Sequence, residues 1–213
     1  MKKKLLIIVP ALVFGLSTFA HEANGGNEKQ QTAQAAIEVN QSINDAVKQQ
    51  LSSFLNLIPE GMEKDHGFNS RAEFTKAQPA SIYKIVGVGQ DGKTFDTGLY
   101  NVVVSVNGEY RAVLSVSSLN GQYEIQSVGG ALLSQQIKEV EAANASDINK
   151  EKVIVNIYSK TSGFISYKEF NSTIENATLI PLESAKLAIG GENNRVAKAT
   201  YTFSEAMHEL GVN

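Results

Sequence analysis

The chain has 213 residues, with no cysteine and no tryptophan, and carries 19 Lys and Arg against 22 Asp and Glu, a formal net charge of −3. Without cysteine there is no disulfide, no thiolate nucleophile and no thiolate metal site, so stability has to come from packing alone. A mildly acidic balance with no basic tract argues against nucleic acid and against an anionic membrane surface as partners.

Met1-Lys2-Lys3-Lys4 is a positive patch, and Leu5 to Ala20 then run without a charge to Thr18-Phe19-Ala20. A charged start, an apolar middle and a small-residue exit are the marks of a secretory signal peptide, expected over 1–20. The apolar run falls short of the roughly 20 residues that span hydrocarbon, and Pro10 and Gly15 interrupt it. No cysteine stands at the cleavage point to take a lipid, so the processed chain is expected to be exported, free of a membrane anchor, and periplasmic or secreted. Removing the three lysines leaves 16 Lys and Arg against 22 Asp and Glu, a net −6.

Residues 21–33, HEANGGNEKQQTA, are small and polar and read as a flexible leader. A single domain is expected over 34–213, with the seam near 144–151 if it divides into two lobes. Val39, Ile43, Val47, Leu51, Phe54 and Ile58 recur at helical spacing, and Pro59 and Gly61 stop that helix. Ser70-Arg71-Ala72-Glu73 has capping-box spacing and predicts the start of a short helix.

From Ser81 the period changes to two, predicting strands over 81–89, 100–106, 109–118 and 122–128, with Asn107-Gly108 and Asn120-Gly121 as turns. For the first of these turns a three-residue loop with Gly108 left-handed is expected, because it brings Val102, Val104, Tyr110, Ala112 and Leu114 to one face. Gly129-Gly130 break the sheet, and Leu133, Ile137 and Val140 predict a covering helix ending near Ala143. Strands follow over 152–159 and 163–168 around a Ser162-Gly163 turn. A helix over 182–189 has Pro181 at its first turn and Gly190 at its stop, a strand runs over 196–203, and a capped turn over 204–210 ends at Gly211. Strand runs with helices grouped between them make this an α+β chain: a long N-terminal helix, an antiparallel β-meander with a covering helix, a further hairpin and short C-terminal helices. That outline is shared with cystatin-like and NTF2-like folds, an analogy that carries no function.

The pattern G-x-x-x-x-G-K-[ST] occurs at Gly87-Val88-Gly89-Gln90-Asp91-Gly92-Lys93-Thr94. A phosphate loop needs a following helix whose N-terminal amides cradle the anion. Here a valine-rich strand follows, so a hairpin tip at Asp91-Gly92 is expected and no nucleotide.

Of three histidines, His66 stands in Glu60-Gly61-Met62-Glu63-Lys64-Asp65-His66-Gly67, among carboxylates that could orient an imidazole. Glu63, Asp65 and His66 are therefore the candidate binding residues, against the alternative of a loop charged for solubility. No catalytic residue, metal ligand or cofactor is assigned: His208 lacks the second histidine of a zinc helix, and no serine sits in a G-x-S-x-G elbow. The tyrosines fall mostly on strands, where they serve cross-strand packing or line a binding surface.

Gly67-Phe68-Asn69-Ser70-Arg71-Ala72-Glu73-Phe74, Ile82-Tyr83-Lys84-Ile85 and Val106-Asn107-Gly108-Glu109-Tyr110-Arg111-Ala112 resemble secreted bacterial proteins of uncharacterised function, whose pattern runs G-F-N-x-R-D-E-F and later V-N-G-x-x-R-A. The resemblance covers about residues 60 to 190, departs at Ala72, and implies an exported domain. The expected function is a non-catalytic module binding a protein, peptide or small ligand in the envelope or outside it. The alternative is a periplasmic or secreted hydrolase using His66 or a carboxylate pair.

Overall fold

The computed structural model describes residues 24–212, apart from 120, 148–149 and 191–196. The signal segment at 1–20, Asn120 of the second turn and the start of the last expected strand lie outside these. The elements are α1 (Asn24–Leu55), β1 (Ala77–Val88), β2 (Thr94–Val106), β3 (Glu109–Leu119), β4 (Gln122–Gly129), α2 (Ala131–Ala143), β5 (Glu151–Ile157), β6 (Ser162–Lys168), β7 (Thr178–Pro181), α3 (Glu183–Gly190), β8 (Tyr201–Thr202) and α4 (Phe203–Leu210). The fold is α+β. No helix among the described residues is long and apolar enough to cross a membrane.

The eight strands form one sheet in the order β4-β3-β2-β1-β5-β6-β7-β8. Strands β1 to β4 are the antiparallel meander that the turn dipeptides predict. Strand β5 then lies parallel to β1, with Ile85 opposite Ile154 and Gly87 opposite Asn156. A parallel neighbour needs a long crossover, and α2 supplies it. The fold is thus a meander and a second antiparallel run joined through one parallel pair.

Three clusters fill the two faces. On one face, Ile43, Val47, Leu51, Leu55 and Ile58 pack on Val102, Val104, Ala112, Leu114 and Ile125 of the meander. Each such side chain contributes about 1.5–3 kcal/mol when fully buried, which is why this stripe fixes how α1 lies. Further along, Val153, Val155, Ile157 and Phe164 pack with Ala185, Phe203, Ala206 and Leu210. On the opposite face Tyr83, Val103, Val113, Ile154 and Ile165 receive Ile137 of α2 and Leu182.

Several expectations need correction. Helix α1 begins at Asn24, so the segment read as a flexible leader is helical from there on. It ends at Leu55, and Leu55 is buried where the sequence pointed to Phe54, which lies half-buried at the flank. Asn107 and Gly108 both have positive φ, 52° and 81°, and Val106 pairs with Glu109. That is a two-residue turn, not the three-residue loop. The ladder then shifts by one residue between Val104 and Ser105, so Val104 still meets Ala112 and Val102 meets Leu114. The bulge does what the longer loop was expected to do, except that Tyr110 passes to the other face.

The β5–β6 turn is a 3-10 turn at Tyr158–Lys160 closed by Thr161 at φ 50°, while Ser162 and Gly163 already belong to β6. Pro181 ends strand β7, an element absent from the sequence reading, and does not open α3. Among the described residues of the last expected strand only Tyr201 and Thr202 pair. Ser70 makes no capping bond, and Glu73 reaches back to the Asn69 N–H at 2.8 Å. The capping box is instead at the head of α4, where the Glu205 N–H donates to Thr202 Oγ1 and the Thr202 N–H donates to Glu205 Oε2.

Candidate binding groove

The phosphate-loop pattern closes the β1–β2 hairpin: Val88 pairs with Thr94, the Gly89 N–H donates to Lys93 O at 2.9 Å, and Gly92 turns the tip at φ 71°. A strand follows it, so the motif does not lead into the helix that a phosphate loop requires.

The resembling segments at 67–74 and 106–112 fold onto one another. A Cβ on Gly67 would stand 2.0 Å from the Arg111 carbonyl oxygen, Arg111 donates to Glu73 Oε1 at 2.9 Å, and the Phe68 and Phe74 rings meet edge-on at 5.1 Å. Burial opposes the charge on Glu73, but donors from Asn69 and Arg111 outweigh it and hold its pKa below 4.5. Spacing and residue type in this pattern therefore answer to packing.

Glu63 is buried, accepts from Arg71 Nε at 3.2 Å and from the Gly61 N–H at 3.0 Å, and its pKa is lowered, first by main-chain hydrogen bonding. His66 places Nδ1 3.1 Å from the Met62 carbonyl oxygen. Asp65 precedes it in the same 3-10 turn, exposed. Glu63 is thus committed to Arg71 and His66 to main chain. Among the described residues no group of three or more His, Asp or Glu is placed to hold a metal ion.

A second polar cluster pins the last turn of α2 to the sheet. Glu141 accepts from Ser81 Oγ at 2.7 Å, Tyr83 OH at 2.8 Å, Lys152 Nζ at 2.6 Å and Tyr110 OH. Tyr167 OH stands 3.4 Å from Tyr83 OH. Burial works against the carboxylate, but these donors, Lys152 foremost, hold its pKa below 4.5, while burial and Glu141 push Tyr110 up to about 12. A carboxylate already holding four donors fastens a helix and has little capacity to take up a proton.

The open chemistry lies at the other end of α2. Between α2 and α3 runs a groove of about 770 Å³, within the roughly 300–1,000 Å³ range of ligand pockets. Leu132, Leu133 and Gln136 form one wall, and Leu182, Glu183 and Leu187 the other. Ile154 and Asn156 of β5, Asn101 of β2 and Gly163 of β6 make the floor, and Tyr158 stands at one end.

Local sequence positions these walls. Gly130 at φ 65° turns the chain out of β4 straight into α2. Gly163 lets the head of α3 approach: the Leu182 N–H donates to Gly163 O, and the Gly163 N–H donates to Ser184 Oγ, both at 3.0 Å. A Cβ there would meet Leu182 Cδ1 at 3.3 Å. Tyr158 stacks on Phe95, centroids 6.1 Å apart, and Phe95 in turn covers Gly87, where a Cβ would strike its ring at 2.3 Å.

Two features set the groove apart. Leu132, Leu187 and Tyr158 are 70%, 68% and 54% exposed around it, a concentration of large apolar side chains at one concavity that solvent alone does not favour. Asn101 on the floor is 8% exposed, yet its side chain bonds to no described residue, and the same holds for the half-buried Asn156. Among the described residues the one buried side-chain polar atom without a partner is Arg111 Nε, so both carboxamides keep contact with solvent.

Sequence reasoning missed these residues. Asn101 and Asn156 interrupt apolar strands, and that was the available signal. Tyrosines divide as follows: Tyr100 and Tyr123 meet edge-on at 5.9 Å, Tyr83, Tyr110 and Tyr167 surround Glu141, and Tyr158 lines the groove. No family profile, curated protein or solved structure matches this chain.

Proposed function

We propose that this chain is a non-catalytic binding module of the cell envelope or exterior, and that its ligand seats in the groove between α2 and α3. The observation that carries the reading is the pairing of exposed Leu132 and Leu187 on facing walls above a floor that includes Asn101, whose side chain bonds to no described residue. Apolar walls supply affinity and a few fixed polar groups supply orientation, the usual division of labour in a ligand site. Among the described lining residues Glu183 alone is charged, which suits binding better than acid–base or nucleophilic chemistry. The N-terminal charge and apolar pattern supports the assignment to the exterior.

The test is fluorescence titration with the neutral apolar dye Nile red against the wild-type chain and the variants Leu132→Glu and Leu187→Glu. Saturable binding that both variants weaken by about tenfold, the equivalent of 1.4 kcal/mol, supports the reading. Binding that neither variant alters removes it.

A further inference from the structure

Resting on that reading, we infer that the groove is a peptide-group site: it takes a neutral, extended apolar peptide segment whose main-chain amide pairs with the side-chain carboxamide of Asn101. Asn101 sits in mid-strand on β2, opposite Tyr83 of β1 and on the same face as Val103; the residue is 8% exposed at the groove floor, and its carboxamide is not among the buried unpaired atoms, so it stays open to what enters the groove. It offers one acceptor oxygen and two donor hydrogens in one plane, and a peptide group presents the matching donor and acceptor. A hydrocarbon leaves both unpaired.

Charge separates the remaining candidates. Among the described residues the lining has no Lys or Arg, and its one ionised side chain is Glu183, which stands 3.7 Å from Lys186 Nζ. A carboxylate-headed ligand such as a fatty acid would meet no cation among these lining residues and would have to compete with Glu183 for Lys186, which is unfavourable where water is excluded. A neutral amide meets neither obstacle. Asn156 stands two strands away from Asn101, opposite Gly87 in the β1–β5 pair. It supplies a second carboxamide on the same floor, four residues further along β1, where a longer stretch of an extended chain would reach it. Leu132 and Leu187 then receive its apolar side chains.

The experiment is displacement of Nile red by acetyl-Leu-Ala-Leu-amide and, separately, by sodium decanoate, on wild type, Asn101→Leu and Asn101→Asp, each checked for folding by thermal unfolding. The inference expects the capped peptide to displace the dye from wild type and decanoate to do so at least about tenfold less well. It expects both Asn101 variants to lose about tenfold in peptide affinity while Asn101→Leu holds the dye within about twofold. Dye binding that Leu187→Glu abolishes, together with a peptide that does not displace it or that binds Asn101→Leu undiminished, overturns the peptide inference and leaves the groove reading standing. Decanoate displacing the dye better than the peptide overturns it as well. Dye that does not bind wild type removes both.

Discussion

Gln136 of α2 accepts the main-chain N–H of Glu183, the first residue of α3, through its side-chain oxygen at 3.0 Å. The bond joins the two walls of the groove across helices that otherwise share few contacts, so it sets the width of the opening. Replacing Gln136 by Ala removes the clasp and leaves the Glu183 N–H to solvent. The expected cost is about 1 kcal/mol of stability with weaker Nile red binding, measured by denaturant unfolding and titration. A variant with unchanged affinity would mean that the wall spacing is set elsewhere.

Asn101 gives a prediction that separates affinity from stability. Among the described residues Arg111 Nε is the only buried side-chain polar atom without a partner, so the Asn101 carboxamide keeps its access to water in the open groove. Asn101→Leu, close in shape, is expected to shift the unfolding temperature little while it lowers peptide affinity. Thermal unfolding without ligand checks it, and a clearly lowered midpoint would show that the carboxamide is held by the protein itself.

The Glu141 cluster predicts a pH dependence. Glu141 and Glu73 both have folded-state pKa values below 4.5, so their ionised forms favour the folded state. Their contribution is fully present above about pH 4.5 and is lost as pH falls through the lower folded-state values. Glu141→Ala leaves Lys152 half-buried opposite hydroxyls alone and should cost about 3 kcal/mol at neutral pH, with the difference from wild type shrinking in acid. Urea unfolding from pH 7 to pH 3 measures it, and a difference independent of pH would contradict the assignment.

Gly67 is held at φ 90° against the Arg111 carbonyl. Gly67→Ala should therefore destabilise by more than about 2 kcal/mol, from positive φ and overlap together. Gly61→Ala, also at positive φ but with nothing within 4 Å, should cost about 1 kcal/mol. Chemical denaturation of the pair separates contact from backbone strain.

The meander was legible because Asn107-Gly108 and Asp91-Gly92 are strong turn signals and the stretch between them is rich in valine. What was not legible depended on geometry that appears only after folding. The one-residue bulge after Val104 decides which face Tyr110 joins, and nothing in the local sequence marks it. Strand β7 has four residues, too few to show a period. Thr202-Phe203-Ser204-Glu205 has the same capping spacing as Ser70 to Glu73, yet only the former closes, because Arg111 and Asn69 draw Glu73 away. The groove was hidden for a similar reason. Leu132, Asn101, Asn156 and Leu187 come from four separate elements, and an asparagine among valines reads as a flaw in a strand until the crossover through α2 brings the four together.

The most direct test of the central claim is a heteronuclear NMR titration of the isotope-labelled chain with acetyl-Leu-Ala-Leu-amide. Shift changes concentrated at Asn101 with its side-chain amide, and at residues 130–136, 154–163 and 182–187, are the predicted result. Changes centred on the α1 face or on the Glu63–His66 loop, or none at millimolar peptide, would contradict it.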